Sequence, residues 1–347
     1  MRILFLDCTG RAFDGRTARE QALGGIETCT VNLAEALADA GANVTVATRS
    51  GAQSHVNGVD WRPFEHIGTE QADVVIANND ARLFSHSQPA LNSGALPLLW
   101  FHNPVGWART LRKGRLGPIL RHRPGAVFCG DVQAAHAPHL LPFRFRATLL
   151  HGIENVFLEP LETRAPPSPR ALFVSAAHRG LNETLQIWRA RVHPTLPTAT
   201  LDVFASEENL RRQTIDPERY ENCGVLFRPP LAKSMLAQEL ASARLLLCPG
   251  AEDETFCLAA AEAQACGLPV VTRGTGALKE RVRHERNGLI APSERGFGDA
   301  ILRGLQDDDL WQRMSLGARD DVEGLTWSRA AERWIRLIET HRSDQSG

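Results

Sequence analysis

A short apolar strand, a glycine loop, an amphipathic helix and a second apolar strand open the chain in that order, which leaves few folds possible. Arg2 to Leu6 reads as the first strand. Beyond the glycine loop, Val31, Ala34, Leu37 and Ala38 recur at helical spacing, and Gly41 suits the helix C-cap. "ANVTVAT" follows as the next strand. Strand, helix and strand in sequence form a βαβ unit, and a βαβ unit implies a parallel sheet. Further short apolar runs, "ADVVIAN", "LPLLWFHN", "GAVFCGD" and "ATLLHG", extend the series to about residue 152. The proline-rich "EPLETRAPPSPR" (159–170) lacks periodicity and reads as a linker. A second series then begins, with strands in "ALFVSA", "ATLDVFAS", "GVLFRPP", "RLLLCPG" and "LPVVTR". Helices are expected in "GLNETLQIWRARV" and "KSMLAQELASA" between them, and "TWSRAAERWIRLIETHR" forms a last amphipathic helix.

The expectation is an α/β protein of two doubly wound, Rossmann-like domains. At 347 residues the chain exceeds one ordinary hydrophobic core. The N-terminal domain is expected over 1–160 and the C-terminal domain over 161–325. The final helix, 326–347, could return to the N-terminal domain. Open α/β sheets bind ligands beyond the carboxyl ends of their strands. Two such sheets in tandem therefore predict a site in a cleft between domains.

Composition removes several function classes. The formal net charge is −1, so nothing draws the whole chain to nucleic acid or to an anionic surface. The seven cysteines form no Cys-x-x-Cys pair and no metal-ligand spacing. Several sit in apolar runs, as small buried hydrophobes do in a reducing compartment. The N-terminus lacks the layout of a signal peptide and no run reaches membrane-spanning length, so a cytoplasmic protein is expected.

The stretch "GAEDETFCLAAAEAQACGLPVV" (250–271) carries the chemistry. A helix is expected from near Phe256 to Cys266-Gly267, between the strands "RLLLCPG" and "LPVV". Glu254 then stands beside the helix N-terminus, and Glu262 two turns in, on an alanine-rich buried face. A buried carboxylate needs a partner. The N–H groups of the helix N-terminus suit a phosphate, and carboxylates accept from vicinal diols. A ligand with phosphate, ribose and sugar would use all of these groups.

At this point the sequence resembles the retaining glycosyltransferases of family 4, which have the GT-B fold, two Rossmann-like domains facing each other across a cleft. Gly24-Gly25-Ile26-Glu27 resembles the glycine loop after the first strand, and "WFHNP" around His102 resembles the N-domain histidine segment. "LLHGIENVFLEP" is similar to the interdomain segment, where Asn-Gly-Ile-Asp is usual. "ETFCLAAAEAQACGLPVV" matches the signature spacing of two glutamates, and "GTGALKERVRHERNGLIAP" resembles the stretch after it. The resemblance implies that Glu254 contacts the donor sugar and Glu262 the ribose. It implies that Gly24, Gly25, Thr255, Phe256 and Cys257 line the donor, and that His102 acts beside Glu254 in catalysis. The family also uses an arginine and a later lysine on the diphosphate. Here Ser175-Ala176-Ala177 stands where the arginine is expected, and Arg179 stands at the lysine position. Arg228 in "LFRPP" is the other candidate for the missing charge.

The implied activity is transfer of a glycosyl group from a nucleoside diphosphate sugar to an acceptor hydroxyl, with retention. The setting would be cell-surface polysaccharide or glycolipid synthesis, the acceptor being a glycan or lipid-linked. Helix N-termini and Arg179 can stabilise the departing diphosphate, so no metal or other cofactor is expected. The acids at 307–309 are expected near the C-terminal end of a helix and make no metal-holding loop. Two alternatives remain: an inactive nucleotide-sugar-binding protein of the same fold, or another GT-B enzyme such as a sugar-nucleotide epimerase. A phosphorylase would need a cofactor lysine, and Lys113, Lys233 and Lys279 lie in no suitable motif. A Rossmann dehydrogenase would need Gly-x-Gly-x-x-Gly in the first loop.

One more segment stands out. "GWARTLRKGRLGPILRHRPG" (106–125) holds Arg109, Arg112, Lys113, Arg115, Arg121 and Arg123 with no acid, interleaved with Trp107, Leu111, Leu116, Ile119 and Leu120. It reads as a solvated basic face, as a peripheral contact with the inner face of a membrane, or as a seat for an anionic acceptor. Nucleic acid explains it less well, because the patch is local.

Overall fold

The computed structural model describes residues 1–9, 12–21, 23–49, 53–159 and 165–343. The chain divides into two compact units, Met1–Gly152 with the segment from Leu325 onward, and Ile153–Gly324.

The N-terminal unit is built on eight strands: β1 (Arg2–Leu6), β2 (Asn43–Thr48), β3 (Ser54–Val56), β4 (Val59–Pro63), β5 (Val74–Asn78), β6 (Leu96–Phe101), β7 (Gly125–Phe128) and β8 (Arg146–Thr148). Their order across the sheet is β3-β4-β2-β1-β5-β6-β7-β8. All neighbours are parallel except β3 and β4. All five residues of β5 are buried, because central parallel strands are covered on both faces. The antiparallel β3–β4 hairpin was not expected. Its turn, Asn57-Gly58, has φ of 50° and 74°, which matches strand twist and which Asn-Gly adopts readily.

The helix Trp327–Ser343 belongs to this unit. Its Trp334 packs edge-on against Trp100 with ring centroids 5.2 Å apart, and both rings are fully buried. Gly152 lies so close to the backbone of Thr326 and Trp327 that no side chain would fit there.

The C-terminal unit has six parallel strands: β9 (Arg170–Phe173), β10 (Thr200–Phe204), β11 (Val225–Arg228), β12 (Leu245–Leu247), β13 (Val270–Thr272) and β14 (Gly288–Ile290). Their order is β11-β10-β9-β12-β13-β14. Its core includes Phe173, Trp188, Leu201, Leu247, Phe297 and Met314. The units part between Gly152 and Ile153, not at 160, because buried Phe157 belongs to the second unit. The Cys266 thiol donates to the Phe157 carbonyl, and Lys233 Nζ lies 5.4 Å from the centre of its ring. Of the expected linker, residues 160–164 lie outside the described residues, and Arg170 already opens β9.

One local expectation is corrected. The signature helix spans Leu258–Ala265 and does not begin at Phe256, because Cys257 is left-handed with φ of 62°. The acids at 307–309 do stand at the C-terminal end of a helix, Glu294–Gln306, and Asp307 both closes that helix and begins the next. Its side chain accepts from Leu310 N at 2.9 Å and caps the helix Asp308–Asp320, while Asp308 pairs with Arg244.

Candidate functional site

Each sheet reverses its strand order at one place, and open sheets place ligands at that crevice. In the C-terminal sheet the order reverses between β9 and β12. The segment after β9 carries Arg179, and the segment after β12 carries Glu254. The structure joins them in a direct ion pair, with the Glu254 side chain 6% exposed and that of Arg179 30%. Neighbouring loops fix this meeting. Gly180, at φ of 95°, starts the helix Leu181–Ile187, and a side chain there would press on Pro249 at 3.0 Å. The loop of Glu254 is clasped from the other side. Ala277 N donates to the Glu254 carbonyl at 2.9 Å, and a side chain at Gly276 would collide with the Ala251 carbonyl. The "GTG" step at 274–276 therefore serves close backbone packing against the acidic loop.

Glu262 projects from the signature helix and is 4% exposed. Its partner is Lys233, the first residue of the helix Lys233–Ser242. Sequence reasoning missed this lysine. It lies 29 residues from Glu262, and no motif spacing connects them. Thr255, Phe256 and Cys257 are all buried behind Glu254. Phe256 lies under the Arg281 guanidinium at 4.4 Å, and the Cys257 thiol is 3.6 Å from that of Cys248. This hydrogen bond, together with burial, pushes the Cys257 thiol well above its usual range. Arg228 is placed elsewhere in the unit, on Asp202 at 3.3 Å, in a cluster with Arg170 and Glu239. A cavity of about 400 Å³ beside the Arg179 loop is lined by Ala177, His178, Gly180, Glu183, Arg273 and Glu294, but not by Glu254 or Glu262.

In the N-terminal sheet the order reverses between β1 and β5. Asp7 follows β1 and is 1% exposed. It accepts from Thr9 N at 2.7 Å, from Asn78 Nδ2 at 2.6 Å and from Thr30 Oγ1 at 3.2 Å. His102 follows β6. Its backbone N–H donates to Asn79 Oδ1 at 2.8 Å, and its Nε2 lies 3.4 Å from Asn78 Oδ1. The ring packs on Trp100 at 4.1 Å and on His151 at 5.4 Å. Burial, and the charge His151 would carry beside it, hold His102 far below the ordinary imidazole value. It is a neutral ring at pH 7. Cys29 joins the two histidines in a cluster of metal-ligating side chains. Gly24 and Gly25 are exposed at the start of the helix Gly25–Asp39, with Gly24 as N-cap at φ −68°.

The basic segment forms two short helices, Trp107–Arg112 and Leu116–His122. It is less uniformly solvated than its sequence implies. Arg115 pairs with Asp80 at 3.2 Å, and Arg109 donates to the Pro104 carbonyl at 3.2 Å. Trp107, Leu111 and Leu120 are exposed beside the remaining cations.

Two doubly wound parallel sheets with polar side chains at both switch points define the class: the fold is GT-B. Solved structures show the same fold along the whole chain. A sucrose-phosphate synthase from Thermosynechococcus elongatus aligns with a TM-score of 0.76 at 17% identity, covering 99% of this chain and 100% of that one. The Anabaena protein HepE, in complex with UDP and glucose, aligns with a TM-score of 0.74 at 15% identity, covering 98% and 100%. Residues 168–307 match the family described as glycosyl transferases group 1. A D-inositol 3-phosphate glycosyltransferase of Nocardioides sp. is 34% identical over 122 residues, 35% of this chain. That stretch spans 26% of the relative's length. Among the described residues no helix is long and apolar enough to cross a membrane.

Proposed function

We propose that the protein transfers a glycosyl group from a nucleoside diphosphate sugar to an acceptor hydroxyl, with retention at the anomeric carbon and without a metal on the diphosphate. The observation that carries this reading is the pairing of Arg179 with Glu254 and of Lys233 with Glu262. Each pair joins a cation suited to phosphate with a carboxylate suited to hydroxyls. A nucleoside diphosphate sugar can replace both pairs at once. Its phosphates would take the two cations, its sugar hydroxyls Glu254 and its ribose diol Glu262, so no charge loses its partner. Lys233 thus supplies the second charge sought in Arg228.

In the transfer, the bond from the anomeric carbon to the diphosphate oxygen breaks, a bond to the acceptor oxygen forms, and the acceptor hydroxyl's proton passes to the departing diphosphate. Negative charge grows on the departing phosphate, where Arg179 stabilises it electrostatically. His102, neutral in its buried seat, would contribute as a hydrogen-bonding group on the acceptor side. HepE was crystallised with UDP and glucose, which supports UDP-glucose as a donor to try first. The acceptor is read as anionic or lipid-linked, in cell-surface polysaccharide or glycolipid synthesis. The basis is the basic segment, whose exposed Trp107, Leu111 and Leu120 flank Arg112 and Lys113. That segment is assigned to an anionic membrane surface, where each cation contributes about 1 kcal/mol.

The experiment is a thermal-shift screen against UDP, GDP, ADP and their sugars, followed by assay of diphosphate release. One nucleotide should raise the melting temperature by mass action, and its sugar should turn over. Binding without release would favour the inactive binding protein, and no binding at all would remove the reading. Vesicle co-sedimentation tests the membrane contact separately. Wild type should bind anionic vesicles at low salt and lose them at high salt. Arg112→Glu/Lys113→Glu should not bind, whereas Arg115→Ala should bind like wild type.

A further inference from the structure

We propose that Cys29, His102 and His151 form a binding site for a soft divalent cation, zinc above all, inside the N-terminal unit. The three side chains come from three elements: the helix Gly25–Asp39, the segment after β6 and the segment after β8. Their ligand atoms all lie within 4.8 Å of one another, and all three residues are buried. Zinc bonds of about 2.0–2.3 Å in a tetrahedron space the ligands about 3.5 Å apart, so the cluster needs to close by about 1 Å. One thiolate and two imidazoles suit zinc and leave a fourth position open, whereas magnesium and calcium prefer oxygen.

The surroundings supply an independent argument. A metal-bound histidine usually donates its other ring N–H to a fixed acceptor, often one tied to a carboxylate. His102 has this arrangement. Its Nε2 faces Asn78 Oδ1 at 3.4 Å, and Asn78 Nδ2 donates to the buried Asp7 carboxyl at 2.6 Å. His102 would then coordinate through Nδ1. Asp7 makes hydrogen bonds but no ion pair among the described residues. A thiolate and two neutral imidazoles around a divalent cation carry one net positive charge. That charge would sit two hydrogen bonds from an otherwise uncompensated carboxyl, and each would reduce the burial penalty of the other. Loading is balanced by loss of the Cys29 thiol proton, so one proton leaves for each metal bound at pH values below the thiol's own titration.

The metal would also occupy His102 and slow sugar transfer. Only this consequence rests on the proposed function. The binding itself is tested on the full chain with cobalt(II) as spectroscopic probe and zinc as competitor. Wild type should take up one cobalt, with a sulfur-to-cobalt charge-transfer band that zinc bleaches. Cys29→Ser should lose that band, and His151→Gln should bind at least tenfold more weakly, the usual cost of disturbing a metal's ligand environment. Cys248→Ser/Cys257→Ser should keep the band, which separates this cluster from the other close thiol pair. Circular dichroism establishes that each variant is folded, and if Cys29→Ser is not, the His151→Gln arm decides. No band in wild type at stoichiometric cobalt would overturn the proposal. So would a band that survives both Cys29→Ser and His151→Gln, or one that disappears with Cys248 and Cys257. Transfer activity is not needed for any of these readings, so failure here and failure of the proposed function are distinguishable.

Discussion

At the switch point of the N-terminal sheet stand Asp7, Asn78 and His102, joined by hydrogen bonds and packed on Trp100. At that of the C-terminal sheet stand Arg179 and Glu254, joined as an ion pair, while Glu262 of the same signature segment pairs with Lys233 at the start of another helix. The topological place is the same, yet the materials are opposite. The N-terminal site is held by hydrogen bonds and ring packing, with no ion pair at Asp7 among the described residues. Under the proposed function, these ion pairs with partly exposed cations would be exchanged for ligand groups, each partner being replaced by a group of a diphosphate sugar. Asp80, two residues beyond Asn78, carries an ion pair of the N-terminal unit, with Arg82 and Arg115.

The comparison breaks most visibly at Arg179. Arg179→Ala leaves the Glu254 carboxylate buried without its cation, which should cost about 3–5 kcal/mol of stability in urea denaturation. Arg179→Ala/Glu254→Gln should recover most of that stability. It should not recover affinity for a nucleoside diphosphate, measured by calorimetry against the bare nucleoside. If affinity returns with stability, the pair is structural and the contrast between the units fails.

Glu262→Gln gives a smaller effect. Loss of one charged hydrogen-bond partner should weaken nucleoside diphosphate binding by about 1–3 kcal/mol while the protein stays folded. Unchanged affinity would confine Glu262 to its pairing with Lys233.

The smallest effect sharpens the N-terminal side. Burial alone would raise the Asp80 carboxyl, but hydrogen bonds from Arg82 and the charge of Arg115 hold it below the usual range. A depressed carboxyl contributes stability above its unfolded value of about 3.9, and loses it as pH falls toward the folded value. Asp80→Asn should therefore lower the stability of wild type by about 1 kcal/mol or less at pH 7, with the two curves converging below about pH 4. His102 and Asp7 should be indifferent to this change, since neither pairs with Asp80.

Much of this was legible in the residues. Fully buried parallel strands are continuous apolar runs, so β1, β5 and β6 announced themselves, as did the helix Gly25–Asp39 with its period of apolar positions. The hairpin β3–β4 carries a local signal, Asn57-Gly58, but its strands are too short to show alternation. Glu254 and Glu262 were marked by the seven residues between them, the first in the loop before the signature helix and the second on it, and Arg179, in the segment after β9, by its match to the family's lysine position. In each case the chain itself fixes the geometry, because local periodicity and a strand end determine where the side chain goes. Tertiary structure alone decided the rest. Lys233 meets Glu262, Asp80 meets Arg115, and Cys29 meets His102 and His151 across distances in sequence that no periodicity spans. Such partners depend on which elements the two sheets bring side by side, and strand order is a property of packing rather than of any one segment.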